Sequence, residues 1–120
     1  MRQLVYLVLL LAVAGCGKPE PPMAGSKWAE ALRDPDAKQR KQAAFTLGNI
    51  GPSDPAVRPA LVGALKDRDA GVRREAILAL LKCGPGSQEA VAALEEVRQR
   101  DRDPQVRTCA ARALAKLEGG

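Results

Sequence analysis

Two sets of charged residues recur at fixed spacing and are of the types that acid–base chemistry uses. Asp34, Asp67 and Asp101 stand 33 and 34 residues apart, and Arg40, Arg73 and Arg107 follow them at a constant offset. A carboxylate beside a guanidinium serves as a general acid or base when its surroundings shift its pKa. The repetition argues against that use. Nothing distinguishes one set from the next, whereas an active site is singular. The residues therefore read as structural: Asp36, Asp69 and Asp103 as helix caps, and Arg40, Arg73 and Arg107 as members of an ion-pair ladder with Asp34, Asp67 and Asp101. No catalytic residue is assigned, and the chain is not expected to be an enzyme.

The remaining reactive types are sparse. The chain has no histidine, which removes the commonest general base and the commonest metal ligand. Ser26, Ser53, Ser87, Thr46 and Thr108 lie outside any G-x-S-x-G context, and no glycine-rich phosphate loop is present. Three cysteines without histidine argue against a metal site, and no cofactor is implied. Cys83 and Cys109 are not expected to form a disulfide. Cys109 aligns with Glu75, eight residues before Cys83. Neighbouring parallel helices stand about 8–10 Å apart, and that offset adds about 12 Å along the axis. A disulfide needs Cα atoms within about 7 Å. Cys83 reads as core filler and Cys109 as a partly exposed thiol.

The elements that position these residues repeat as well. Asp34 to Gly51, Asp67 to Gly84 and Asp101 to Gly119 align with the same types at the same places: Ala43, Ala76 and Ala110, then Leu47, Leu80 and Leu114, then Ile50, Cys83 and Leu117. In the middle unit Val72, Ala76, Leu80 and Cys83 follow the i, i+4, i+8, i+11 pattern of one helical face. Asp69 and Asp103 suit N-caps, Pro104 suits the first helical position, and Gly51 and Gly84 suit helix ends. A second helix follows each of the first two units. One starts at Asp54-Pro55 and reaches about Lys66, with Val57, Leu61, Ala64 and Leu65 inward and Pro59 placed to bend it. The other follows Ser87, spanning Gln88 to Arg100, with Val91, Leu94 and Val97 inward. Trp28 and Leu32 stand 33 residues before Leu61 and Leu65, so this segment reads as the second helix of an incomplete leading repeat. The abundance of Ala and Leu and the scarcity of aromatics favour helices over sheets.

This unit resembles the HEAT-like repeats first associated with phycobilisome lyases, with the consensus D-x-D-x-x-V-R-x-x-A-x-x-A-L. Asp67, Asp69, Val72, Arg73, Ala76, Ala79 and Leu80 match it best. Gln39 stands where Val is usual and is expected to loosen the first repeat junction. The resemblance implies an all-α fold over residues 26–118, a short α-solenoid of about five antiparallel helices with a period of 33–34 residues. The third unit lacks a second helix, so one side of Pro104–Leu117 should lie uncovered and could self-associate.

Residues 1–15 have the layout of a signal peptide: Arg2, an apolar run from Leu4 to Val13, then Gly15 and Cys16. The run is well short of the roughly 20 residues that span a bilayer. Val13-Ala14-Gly15-Cys16 resembles the bacterial lipobox. That resemblance implies cleavage before Cys16 and lipidation of its thiol, with two or three acyl chains holding the protein to a membrane. An ordinary signal peptide cut after Ala14 is the alternative. Gly17 in place of Asp implies, by the same resemblance, the outer membrane of a diderm host. Residues 16–25, rich in proline, are expected to form an extended tether.

Without residues 1–15 the formal charge falls from +5 to +4. Basic and acidic residues are interleaved, which describes a solvated surface and not a nucleic-acid footprint. The second helices of such stacks usually line the concave side, where Arg58, Lys66, Glu96 and Gln99 are candidate partner-binding residues. The leading functional expectation is a membrane-tethered protein-interaction or scaffold module of the bacterial cell envelope, holding an unknown protein partner. The alternatives are an accessory subunit related to chromophore lyases, which would bind bilin, and a basic nucleic-acid-binding repeat protein, whose affinity would fall steeply with salt.

Overall fold

The computed structural model describes residues 21–119. Six helices and no strand occur among them: α1 (Pro21–Ala31), α2 (Ala37–Ile50), α3 (Val57–Ala64), α4 (Ala70–Cys83), α5 (Gln88–Arg100) and α6 (Pro104–Gly119). The first helices of the three units, α2, α4 and α6, pack side by side in one layer. The intervening helices α1, α3 and α5 pack against them. The architecture is an all-α, solenoid-like stack.

Local chemistry sets the helix starts. The side chain of Asp36 accepts from the Lys38 amide, that of Asp69 from the Val72 amide, and that of Ser87 from the Ala90 amide. Asp103 accepts from the Gln105 amide at 2.7 Å. Each bond satisfies one amide that the first turn leaves without a partner. The stops of α2 and α4 are Gly51 at φ 90° and Gly84 at φ 79°. Both have ψ near 180°, a region open essentially to glycine alone.

The apolar faces meet in one core. Leu47, Leu80 and Leu114 are buried at equivalent places, as are Ala43, Ala76 and Ala110. Val57, Leu61, Ala64 and Leu65 face them from α3 and the turn that follows it, and Ala90 and Leu94 from α5. Trp28 and Leu32 pack on the outer edge of this cluster. Alanine fills one buried site in each unit, so the core is close-packed with almost no aromatic bulk.

Three expectations are corrected. Residues 21–25 are not an extended tether, because α1 begins at Pro21. Proline in a first helical turn lacks an N–H that would be unpaired there in any case, and its φ already suits the helix. This helix thus begins five residues before the expected boundary at 26, and the six helices among the described residues fit the expected all-α stack. Residues 1–20, including Cys16, lie outside the described residues. The helix expected from Asp54 starts only at Val57 and ends at Ala64. Asp54 is occupied elsewhere: its Oδ1 accepts from the Ala56 amide at 2.9 Å and its Oδ2 from the Gly25 amide at 3.0 Å. A Cβ at Gly25 would lie 2.5 Å from the Asp54 carboxylate. Asp54, itself buried, therefore ties α1 to the turn before α3.

The third correction concerns the first junction. Gln39 does not loosen it, because its side chain is exposed and another residue sets the approach of α2 and α4. A Cβ at Gly48 would lie 2.8 Å from the Cβ of Ala79 and 2.9 Å from its Cα, so the helices touch where glycine stands. Gly48→Leu, which installs the residue of the next repeat (Leu81), is expected to cost about 3 kcal/mol through overpacking. Urea unfolding should show a lower midpoint at an unchanged slope. An unchanged midpoint would mean that the junction is not close-packed.

Candidate interaction surfaces

The Asp/Arg sets form a ladder that crosses the repeat boundaries. Arg40 donates from Nε to Asp67 Oδ2 at 2.9 Å and from Nη2 to Oδ1 at 3.1 Å. Arg73 does the same to Asp101 at 2.8 and 3.0 Å. Both are fork-on-fork pairs, the geometry a guanidinium matches best. The remaining Nη1 of each arginine reaches back to its own unit, Arg40 to the carbonyls of Asp34 and Pro35 and Arg73 to the carbonyl of Asp67. Each acceptor carboxylate also takes the amide two residues on, Asp69 for Asp67 and Asp103 for Asp101. The pairs are largely shielded, with side-chain exposures of 4% and 11% for the first and 6% and 6% for the second. Burial pushes the Asp67 and Asp101 carboxyls up. The guanidinium and amide hydrogen bonds outweigh it and hold both below the ordinary aspartate value.

The ends of the ladder differ from its middle. The Asp34 carboxylate accepts from the Asp36 amide and pairs with no arginine among the described residues, and Arg107 donates to the Asp101 carbonyl.

The four residues expected on a common partner-binding face are not equivalent. Arg58 is half-buried and partly engaged. Its Nη2 donates to the carbonyls of Cys83, Gly84 and Pro85 at 3.1, 3.3 and 3.0 Å, closing the C-terminal end of α4. Those carbonyls have no partner within their own helix, and a cation at a helix C-terminus is favoured. Lys66 is exposed at the turn after α3, in a shallow pocket of about 400 Å³ with Arg68, Arg100 and Arg102 beside the Asp67 and Asp101 carboxylates. Glu96 and Gln99 are exposed on α5, where Gln99 donates to Glu95.

A second, larger concavity was not anticipated from the sequence. It is an open groove of about 850 Å³ between α4 and α6, with no residue of α1, α3 or α5 in its walls. Its apolar floor is Leu78, Leu81, Cys109, Ala113 and Ala115, with Arg74, Arg112 and Lys116 along the rim. Leu78 is 45% exposed. One end is closed by Arg74, which donates to Gln105 Oε1 at 3.1 Å. Cys83 and Cys109 are both free thiols, the first buried and the second half-buried in this groove. Burial raises the Cys109 thiol above its ordinary value, with Arg74 and Arg112 pulling it down and Glu75 adding to the rise.

The groove exists because the two junctions differ at two aligned positions. Gly48 in α2 is matched by Leu81 in α4, and Phe45 by Leu78. At the first junction the helices touch at Gly48, and Phe45 lies under Lys82, whose Nζ is 4.3 Å from the ring centre. Lys82 also donates to Asn49 at 3.0 Å. At the next junction the equivalent lysine, Lys116, lines the groove with Leu78, the residue aligned with Phe45. The clue in the sequence was Gly48, an isolated glycine inside a strong helical pattern, which usually signals close backbone approach.

No curated protein matches the chain. The family model described as HEAT repeats matches residues 25–115.

Proposed function

The chain belongs to the HEAT repeat family, and from that premise we propose that it is a protein-interaction scaffold held at the membrane of a bacterial cell envelope by lipid on Cys16. HEAT repeats generally mediate protein–protein contact. The observation that carries the reading is the helical stack with an open, apolar-floored groove and an exposed Leu78 on its surface. Exposed apolar patches with polar rims are typical of protein-binding surfaces. The match of Asp67, Asp69, Val72, Arg73, Ala76 and Leu80 to the lyase-type consensus supports that subtype of repeat. It bears on fold and leaves the activity open, because one scaffold serves many functions.

The tether rests on the order Arg2, apolar run, Val13-Ala14-Gly15-Cys16. Gly17 favours the outer membrane where the host has one. Self-association through α6 belongs to the same reading: the helix presents Ala111 where α4 presents Ile77, so a second copy would stack on it weakly. Metabolic labelling with a palmitate analogue, on wild type and Cys16→Ala, followed by membrane fractionation, tests the anchor. Label and membrane association in the wild type, both lost in Cys16→Ala, are expected. Soluble, unlabelled protein in both removes the tether. In-cell photocrosslinking from positions 78 and 96 tests the partner. A discrete protein adduct is expected at one or both, and none at either would end the scaffold reading.

A further inference from the structure

The α4–α6 groove has a shape and charge that select among possible occupants. Its floor is apolar, and the charged residues that line it, Arg74, Arg112 and Lys116, are all basic, with Gln105 and Thr108 neutral beside them. The ion pairs among the described residues are Arg40–Asp67, Arg73–Asp101 and Arg98–Glu95. Arg74, Arg112 and Lys116 therefore carry no acidic partner among those residues. At the first junction glycine closes the gap between the helices, and Lys82 lies on the ring of Phe45, itself 42% exposed. At the second junction the gap stays open, and Leu78 stands in place of the aromatic ring.

Both walls of the groove are helices, whose backbone groups are paired internally, so no edge is offered to an added strand. The groove is open along its length, whereas sites for small ligands bury most of the molecule. From Pro104 to Lys116 it runs about 18 Å at ~1.5 Å per residue, roughly three helical turns. A helix laid between two helices packs its ridges into such a channel.

We infer that the groove between α4 and α6 binds an amphipathic helix of a partner protein, with apolar residues facing Leu78, Leu81 and Ala113 and acidic residues paired with Arg112 and Lys116. The inference rests on the interaction reading above and names the surface and the chemistry of its partner. Leu78 supplies the apolar anchor, and the rim sets orientation and speeds encounter.

The probe is a stapled helical peptide of about 14 residues, with leucines at i, i+4 and i+7 and glutamates flanking them, labelled with fluorescein. Its control carries lysine in place of each glutamate. Fluorescence anisotropy is measured with the full chain and with Leu78→Asp and Arg112→Glu/Lys116→Glu. Circular dichroism melting shows that each variant remains folded, since these positions are exposed. The expected result is saturable binding of the acidic peptide in the micromolar range (about 8 kcal/mol at 1 μM), at least tenfold weaker in both variants and weaker for the lysine control. Equal binding of the two peptides, no binding of either, or unchanged affinity in the folded variants would overturn the inference. So would saturable binding of a fluorescent fatty acid in the absence of peptide binding, or a dimer of the chain that Leu78→Asp dissolves. If the peptide fails while crosslinking in cells traps a protein from position 96 and none from position 78, the scaffold reading stands on another surface. If both fail, both fall.

Discussion

Leu80→Asp leaves the chain without a cooperative unfolding transition. Leu80 is 2% exposed and sits at the middle of three aligned leucines, packed between the two helix layers. Removing its side chain alone, as in Leu80→Ala, costs about 3 kcal/mol in transfer and cavity terms. Placing a carboxylate there adds the cost of a buried charge without a partner, several kcal/mol more. A domain of this size has roughly 5–10 kcal/mol of stability in all. A short stack also lacks the reserve of a long one, because each repeat rests only on its neighbours. Far-UV circular dichroism against temperature reads the outcome: a sigmoidal melt in wild type, a shifted one in Leu80→Ala, and none in Leu80→Asp. A wild-type melting temperature in Leu80→Asp would mean that the repeat register is wrong.

That register was legible because it is written many times. Asp, Arg, Ala and Leu recur at the same offsets in three units, and the helical period links them within each unit. Repetition turns a weak local pattern into a strong one, which is why α2, α4 and α6 and their buried faces could be placed. Elements outside the repeated unit were harder. Pro21 and Pro22 read as a helix breaker by composition, yet proline at the start of a helix costs little, and α1 begins there. Asp54 read as the start of a helix because aspartate before proline favours one. Its carboxylate instead serves the Gly25 amide, 29 residues away, a tertiary contact that no local pattern carries.

The surface was less legible than the core, and for a physical reason. A core position is set by the helical period, which the sequence displays. A surface concavity depends on the distance between helices, which depends on single residues at the crossing. Gly48 against Ala79 closes one junction, while Leu81 takes the glycine's place at the next, where the groove lies. The capping contact of Arg58 was hidden for a related reason. A long basic side chain on an outward helix position looks solvated, but the carbonyls at the end of α4 lie within its reach.

Arg73→Ala is expected to cost about 3 kcal/mol, the lower end of the range for breaking a buried pair. The guanidinium joins the Asp101 carboxylate of the next unit to the Asp67 carbonyl of its own. Its removal leaves a shielded carboxylate with only the Asp103 amide. Arg73→Met/Asp101→Leu should recover much of the loss, because two apolar groups need no solvation, and urea unfolding of the four-membered cycle measures the coupling. Acid provides a second reading. The Asp101 carboxyl, pushed up by burial but held down more strongly by the Arg73 and Asp103 hydrogen bonds, titrates below its unfolded value. Its stabilisation is therefore complete above the unfolded value, about 3.9, and is lost as pH falls from there through the folded value. Asp67 behaves in the same way. Asp101→Asn should lower stability at neutral pH and flatten the loss below pH ~4, leaving the part that Asp67 supplies. A strong coupling in the cycle would mean that this arginine binds one repeat to the next. An additive cycle would place its contribution on the carbonyl of its own turn, and this junction would then be held by its apolar contacts and the Arg74–Gln105 hydrogen bond.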